Sequence, residues 1–354
     1  MAHSARDEDL AAWLDLSLVP GLGPVHFRSL LSAFGLPGNI LAAERSQLLK
    51  IVPSAVADAI TAGGREEKLE ESLAWAAQTG NVILTLADAA YPAQLFEITD
   101  PPPLLYVTGN PALLSATCVA LVGSRNATPQ GLLNAEQFAR ALSEAGLTIV
   151  SGLALGIDAA AHRGALAGRG STVAVMGSGP DQIYPRRNAA LAAEIAKAGV
   201  LVTEFAPGTQ PLAGNFPRRN RLISGLSRGV LVIEAALASG SLITARLAAD
   251  QGREIFAIPG SIHSPLSRGC HALIRQGAKL VESAQDVLEE LGGVISSTPQ
   301  RERNTSNTTS ELLQHMGYDP CDVGTLAMRA GSHFQFRYEP GGKGDMVTRR
   351  GLIG

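Results

Sequence analysis

Four short stretches of this sequence combine residue types suited to holding an anion. Gly123-Ser124-Arg125 ends an apolar run and leads through Asn126-Ala127 to Thr128-Pro129, an N-cap and first-turn pair that opens a helix. A glycine turn lets backbone N–H groups approach an anion, the helix N-terminus adds partial positive charge, and arginine adds a two-pronged contact. Tyr184-Pro185-Arg186-Arg187-Asn188 and Gly214-Asn215-Phe216-Pro217-Arg218-Arg219-Asn220-Arg221 repeat the basic theme, and Ser239-Gly240-Ser241 is a second glycine turn before a helix. The candidate contacts to an anionic ligand are therefore Gly123, Ser124, Arg125, Arg186, Arg187, Phe216, Arg218, Arg219, Asn220, Arg221, Ser239, Gly240 and Ser241. The chain contains neither the G-x-G-x-x-G that opens a dinucleotide-binding helix at this point nor a G-x-x-x-x-G-K-[ST] phosphate loop.

Little else points to bond-making chemistry. Asp158 and His162 stand four residues apart, but no nucleophile or metal set accompanies them, so the expected role is helix capping or packing. Cys118, Cys270 and Cys321 lack Cys-x-x-Cys or Cys/His spacing, which argues against a disulfide framework or zinc cluster. No catalytic residue, metal or cofactor is expected.

Charge is unevenly distributed. The 29 basic and 32 acidic residues of the 354-residue chain give a net −3, yet residues 1–116 carry −7, residues 117–285 carry +6 and residues 286–354 carry −2. The basic middle is almost entirely arginine, whose planar fork suits phosphate oxygens. Arginines spaced along one edge suit successive phosphates of a polyanion better than a single nucleotide. Tyr184, Phe205 and Phe216 could wall a pocket for one or two bases or simply pack on their own helices.

The elements that must position these groups follow from the hydrophobic pattern. Apolar runs at 119–122, 148–151, 172–176, 200–203, 230–233 and 255–258 each lead through a turn, mostly glycine-containing, into an Ala/Leu-rich stretch. Short, two-sided apolar runs alternating with helices predict a doubly wound α/β domain with a parallel sheet covered on both faces. Its strand-to-helix turns then share the carboxyl edge, where such folds bind ligands. Before it, residues 8–62 predict short helices around PGLGP (20–24), residues 66–79 another helix, and 82–86 a leading strand. The polar stretch 292–310 predicts a linker before a small terminal domain. No apolar run is long enough to span a membrane, and the acidic start lacks signal-peptide character, so a cytoplasmic protein is expected.

The motifs VALVGSRNATPQG, SGLALGIDAAAH, GSGPDQIYPRRN, GNFPRRNRLISGLS, EAALASGSLITARLAADQGREIFAIPG and SRGCHALIRQGA, in order across 119–278, resemble the bacterial DNA-processing protein A family (DprA/Smf). The resemblance implies a non-catalytic recombination mediator. Such a protein binds and protects single-stranded DNA through an extended Rossmann-like domain, forms a homodimer, and loads the RecA recombinase during natural transformation. It assigns phosphate contacts to Gly123, Ser124 and Arg125, to the basic residues beside Tyr184-Pro185, and to Arg218–Arg221. Ser239-Gly240-Ser241 matches the family's glycine turn, in a structural or anion-facing role; Asp158, His162 and Glu234 also match family positions, whereas relatives often carry a cation where this chain has Leu155. The implied organisation is a helical SAM or helix-hairpin-helix-like domain (1–80), an extended Rossmann-like domain (81–291), a linker (292–310) and a winged-helix-like domain (311–354) that lacks its expected recognition helix.

One enzymatic alternative is a Rossmann-fold nucleotide hydrolase of the nucleoside monophosphate phosphoribohydrolase type. That class needs a P-G-G-x-G-T-x-x-E turn at the sheet edge. Here the nearest match, Pro340-Gly341-Gly342-Lys343-Gly344, falls in the tail.

Overall fold

The computed structural model describes residues 2–292 together with Cys321–Asp322 and Met346–Val347. Nine strands form one sheet: β1 (Asn81–Thr85), β2 (Leu104–Gly109), β3 (Cys118–Val122), β4 (Thr148–Ser151), β5 (Thr172–Val175), β6 (Val200–Thr203), β7 (Gly229–Val232), β8 (Glu254–Ala257) and β9 (Lys279–Leu280). Their spatial order is β1-β2-β6-β5-β4-β3-β7-β8-β9. From β6 to β9 along that order every pair is parallel. The chain winds outward from β3 through β4, β5 and β6, then returns to lay β7 on the other side of β3. That reversal is the topological switch point of a doubly wound sheet.

The six apolar runs become β3 to β8 within a residue at either end, and the leading strand becomes β1. The sheet is nevertheless mixed. β2, which follows three prolines at 101–103 and has no covering helix of its own in sequence, pairs antiparallel with both β6 and β1.

Alternation within the strands explains why both faces are covered. Cys118, Ala120 and Val122 of β3 face one core with Val230 and Val232 of β7, against helices Asn215–Gly225, Ser241–Asp250 and Arg268–Arg275. Val119, Leu121, Leu231 and Ile233 face the other, against helices Pro129–Glu144, Ile157–Leu166 and Ala284–Glu290. Each fully buried Val, Leu or Ile contributes roughly 1.5–3 kcal/mol. A one-residue slip would exchange the two faces, so the register is strongly specified.

Helices Ala2–Ser17, Pro24–Phe34, Pro37–Leu41, Arg45–Leu48, Ser54–Ala62 and Glu66–Ala76 precede the sheet. Several of them enclose their own core, in which Trp13 stacks on Phe27 with ring centroids 5.7 Å apart. Leu14 and Trp75 pack with Ile83, Leu104 and Tyr106, seating these helices on β1 and β2. Met1–Ile295 form one compact unit and Ser296–Gly354 a second. In the second, β10 (Cys321–Asp322) pairs antiparallel with β11 (Met346–Val347). The rest of the expected winged-helix-like domain, and the linker beyond residue 292, lie outside the described residues. Among the described residues no helix is long and apolar enough to cross a membrane.

Candidate nucleic-acid interface

The turns after β3, β4 and β7 border a cavity of about 650 Å³ at the carboxyl edge of the sheet, at the switch point. Gly123, Ser124, Arg125 and Asn126 form one wall, and Ser239, Gly240, Ser241, Ile243 and Thr244 another. Tyr184, Phe216 and Asn220 also line it, and the deeply buried Asp158 and Arg219 lie beneath. Gly156, with φ of +77°, lets the turn after β4 press against the turn after β3. A Cβ there would stand 2.6 Å from the Arg125 carbonyl oxygen.

The expected N-cap is present. Thr128 Oγ1 accepts from the Gly131 N–H at 2.9 Å, with Pro129 in the first turn. On the solvent side of this turn, the exposed Arg125 guanidinium lies 5.6 Å from the centre of the Phe216 ring. Phe216 leans on Tyr184, centroid to centroid 5.5 Å, and Tyr184 is 47% exposed. A cation beside two aromatic faces offers a phosphate contact and a surface on which a base can stack.

The structure divides the expected arginines into two groups. Arg125, Arg186, Arg187 and Arg218 are exposed, and among the described residues no ion pair involves the first three. Arg186 and Arg187 sit on a short 3₁₀ turn next to Tyr184, outside the cavity lining. Arg218 donates to Glu204 at 2.8 Å and lies over the Phe205 ring, so its charge is largely matched.

Arg219 and Arg221, in contrast, are buried. Arg219 is 4% exposed, donating through Nη1 to the carbonyls of Gly152 and Val175. Burial lowers its pKa to about 10, with Asp158 opposing the shift. Burial likewise pushes the Asp158 carboxyl up, while Arg219 and the amides of Ala154 and Gly152 pull it back. Arg221 is held between Glu204, at 2.8 Å, and Asp100, at 2.7 Å. Burial alone would lower its pKa; the two carboxylates more than reverse that. Both arginines bond within the fold, and Arg219 also lines the cavity. Further cations of the basic segment are spent internally, as in the Arg140–Glu144 and Arg253–Glu97 pairs.

Amides of the first glycine turn are also engaged within the chain. The Ser124 N–H donates to the Glu234 carbonyl at 2.8 Å, and Ser124 Oγ accepts from the Asn126 N–H at 3.1 Å. That amide is not presented to an anion. Around Ser239-Gly240-Ser241 the two hydroxyls share a hydrogen bond of 2.7 Å on the cavity wall. The sequence reading missed Asn126, Asp158, Ile243 and Thr244 as wall residues. Asn126 had a visible signal in its place beside Arg125, and Ile243 and Thr244 in their place in the first turn of the helix that Ser241 opens.

His162 is fully buried. Its Nε2 accepts from the Leu153 N–H at 3.3 Å, which makes Nδ1 the protonated nitrogen, donating to Thr172 Oγ1 at 2.7 Å. Burial, with Arg219 and Arg163 adding to it, lowers its pKa to about 3, so the ring is neutral and structural. The buried thiols of Cys118 and Cys270 are unpaired, and burial pushes each up to about 12.

The family model for DNA recombination-mediator protein A matches residues 82–292, more than half of the chain. The chain belongs to this family. The sheet and the whole cavity lie inside the matched region. Protein Smf of Escherichia coli is 44% identical over 275 residues, covering 75% of this chain and 74% of that protein. The X-ray structure of DNA processing protein A from Streptococcus pneumoniae superposes with a TM-score of 0.70 at 40% identity, covering 78% of this chain and 95% of that one. A Helicobacter pylori DNA processing protein A, solved for its single-stranded DNA binding mode, gives a TM-score of 0.54 at 34% identity, covering 59% and 95%. The mixed α/β fold described above is thus the family's fold.

Proposed function

We propose that this protein binds single-stranded DNA along the carboxyl edge of its sheet, without catalysing a reaction on it. Arg125 takes a phosphate at the cavity mouth, Phe216 and Tyr184 receive a base, and the exposed Arg186 and Arg187 extend the contact along the strand. The observation that carries the reading is the exposed Arg125 poised over Phe216 at the switch-point cavity. The Helicobacter pylori relative solved for its single-stranded DNA binding mode supports it.

On this reading the protein processes DNA in transformation and recombination, protecting incoming single strands and loading the RecA recombinase onto them in the cytoplasm. It acts as a homodimer, which brings two binding edges to one strand and raises avidity. The helical region 1–80 serves as an accessory SAM-like domain ahead of the Rossmann-like domain 81–291, and 311–354 as a winged-helix-like domain.

The nucleotide hydrolase alternative finds no support in the cavity. Asp158 lines it, but its Oδ2 accepts from the Gly152 and Ala154 N–H groups at 3.1 and 3.3 Å, which leaves it poorly placed to activate a water. Gel shifts with a labelled single strand and the matching duplex test the proposal. Preferred binding of the single strand supports it, and equal affinity for both would indicate a general cationic surface. Release of free base from nucleoside monophosphates would establish the hydrolase instead.

A further inference from the structure

In nucleotide-binding sheets of this topology, the turn after the switch-point strand and the start of the following helix take a pyrophosphate. In this protein that place is filled from within the chain. Glu234, two residues beyond β7, accepts from the Thr128 N–H through Oε2 at 3.0 Å and from the Thr128 hydroxyl through Oε1 at 2.5 Å. The same hydroxyl accepts from the Gly131 N–H at 2.9 Å. The main-chain carbonyl of Glu234 takes the Ser124 N–H, so one residue occupies donors on both sides of the turn. The helix has room for the carboxylate because residue 131 is glycine. A Cβ there would stand 2.5 and 2.7 Å from the two carboxylate oxygens.

We propose that Glu234 is a built-in anion seated in the pyrophosphate position, and that it sets ligand choice at this edge. The carboxylate takes the amide and hydroxyl of the N-cap residue and repels a second anion, so free nucleoside di- and triphosphates find no cradle there. The phosphates of an extended ligand are left to pass outside the turn, where Arg125 faces solvent. This last step rests on the DNA-binding reading; the exclusion of pyrophosphate does not. Cellular nucleotides would then leave the DNA edge unblocked.

The test titrates sodium pyrophosphate into the DNA-free full chain by calorimetry, at matched ionic strength. The wild type shows no saturable binding up to about 10 mM, whereas Glu234→Ala, folded by circular dichroism, binds at least roughly tenfold more tightly. Glu234→Gln keeps the shape and one acceptor for Thr128 while losing the charge, and gains roughly threefold. If the alanine variant does not fold, the glutamine variant decides. Wild-type protein that binds pyrophosphate as well as the variants, or folded variants that gain nothing, would overturn the proposal. In a parallel arm, pyrophosphate competes with a labelled oligothymidylate for the variants but not for the wild type. A wild type that binds no oligothymidylate defeats the DNA reading and leaves the calorimetric result to judge Glu234.

Discussion

Arg219 and Gly152 share one small volume beneath the cavity. The Arg219 Nη1 donates to the Gly152 carbonyl at 2.8 Å, and a Cβ added at residue 152 would stand 2.5 Å from Nη2. The turn after β4 is therefore closed over a guanidinium whose charge also favours the Asp158 carboxylate. Gly152→Ala is expected to lower stability by about 1–3 kcal/mol through overpacking. Arg219→Ala, which leaves the Gly152 and Val175 carbonyls without their guanidinium donor, is expected to cost about 1–3 kcal/mol. Urea denaturation checks both; an Arg219→Ala protein as stable as wild type would show that these hydrogen bonds are not structural.

Arg218 and Arg221 share Glu204 but differ in burial. Arg221 and Glu204 are both nearly inaccessible, so Arg221→Ala leaves the buried carboxylate with only the half-exposed Arg218 as partner and is expected to cost about 2–4 kcal/mol. Arg218 is half exposed and its pair is screened, so Arg218→Ala is expected to cost no more than about 1 kcal/mol. Denaturation midpoints of the two variants measured side by side test this ordering.

The buried His162 gives stability a dependence on pH. Its folded pKa is about 3, whereas in the unfolded chain it titrates near 6.5. Between those values the unfolded state holds more protons, so this residue's contribution falls as pH drops through that window, by up to about 1.4 kcal/mol per pH unit. His162→Gln removes that slope. Unfolding free energies of wild type and variant at pH 7, 6 and 5 should converge toward low pH, since the difference cancels the other titrating groups. A difference independent of pH would mean that the ring is not held neutral.

Much of the sheet was legible because β-branched runs alternated with helices, and the Thr128-Pro129 start was legible because capping is local. β2 was not, since LLYVTG follows a proline cluster and its partners are a strand immediately before it and another nearly a hundred residues later. The arginines show the limit most clearly. Arg218, Arg219 and Arg221 look alike as residue types, and only helical phase separates them. Arg219 lies three, four and seven positions before Leu222, Ile223 and Leu226, on the apolar stripe, which was a usable signal. The pairing of Arg221 with Asp100 spans more than a hundred residues and left no local trace. The same holds for Glu234, whose carboxylate meets Thr128 only because β3 and β7 are neighbours in the sheet.

The central claim is that Arg125 at the cavity mouth holds a phosphate of single-stranded DNA. It is tested most directly by the affinity of wild type and Arg125→Ala for an oligothymidylate, measured by fluorescence anisotropy across a salt series. The account predicts that log affinity falls linearly with log salt for the wild type, and that the variant binds roughly tenfold more weakly with a slope shallower by about 0.7, the loss of one phosphate contact. Unchanged affinity and slope in the variant would contradict it.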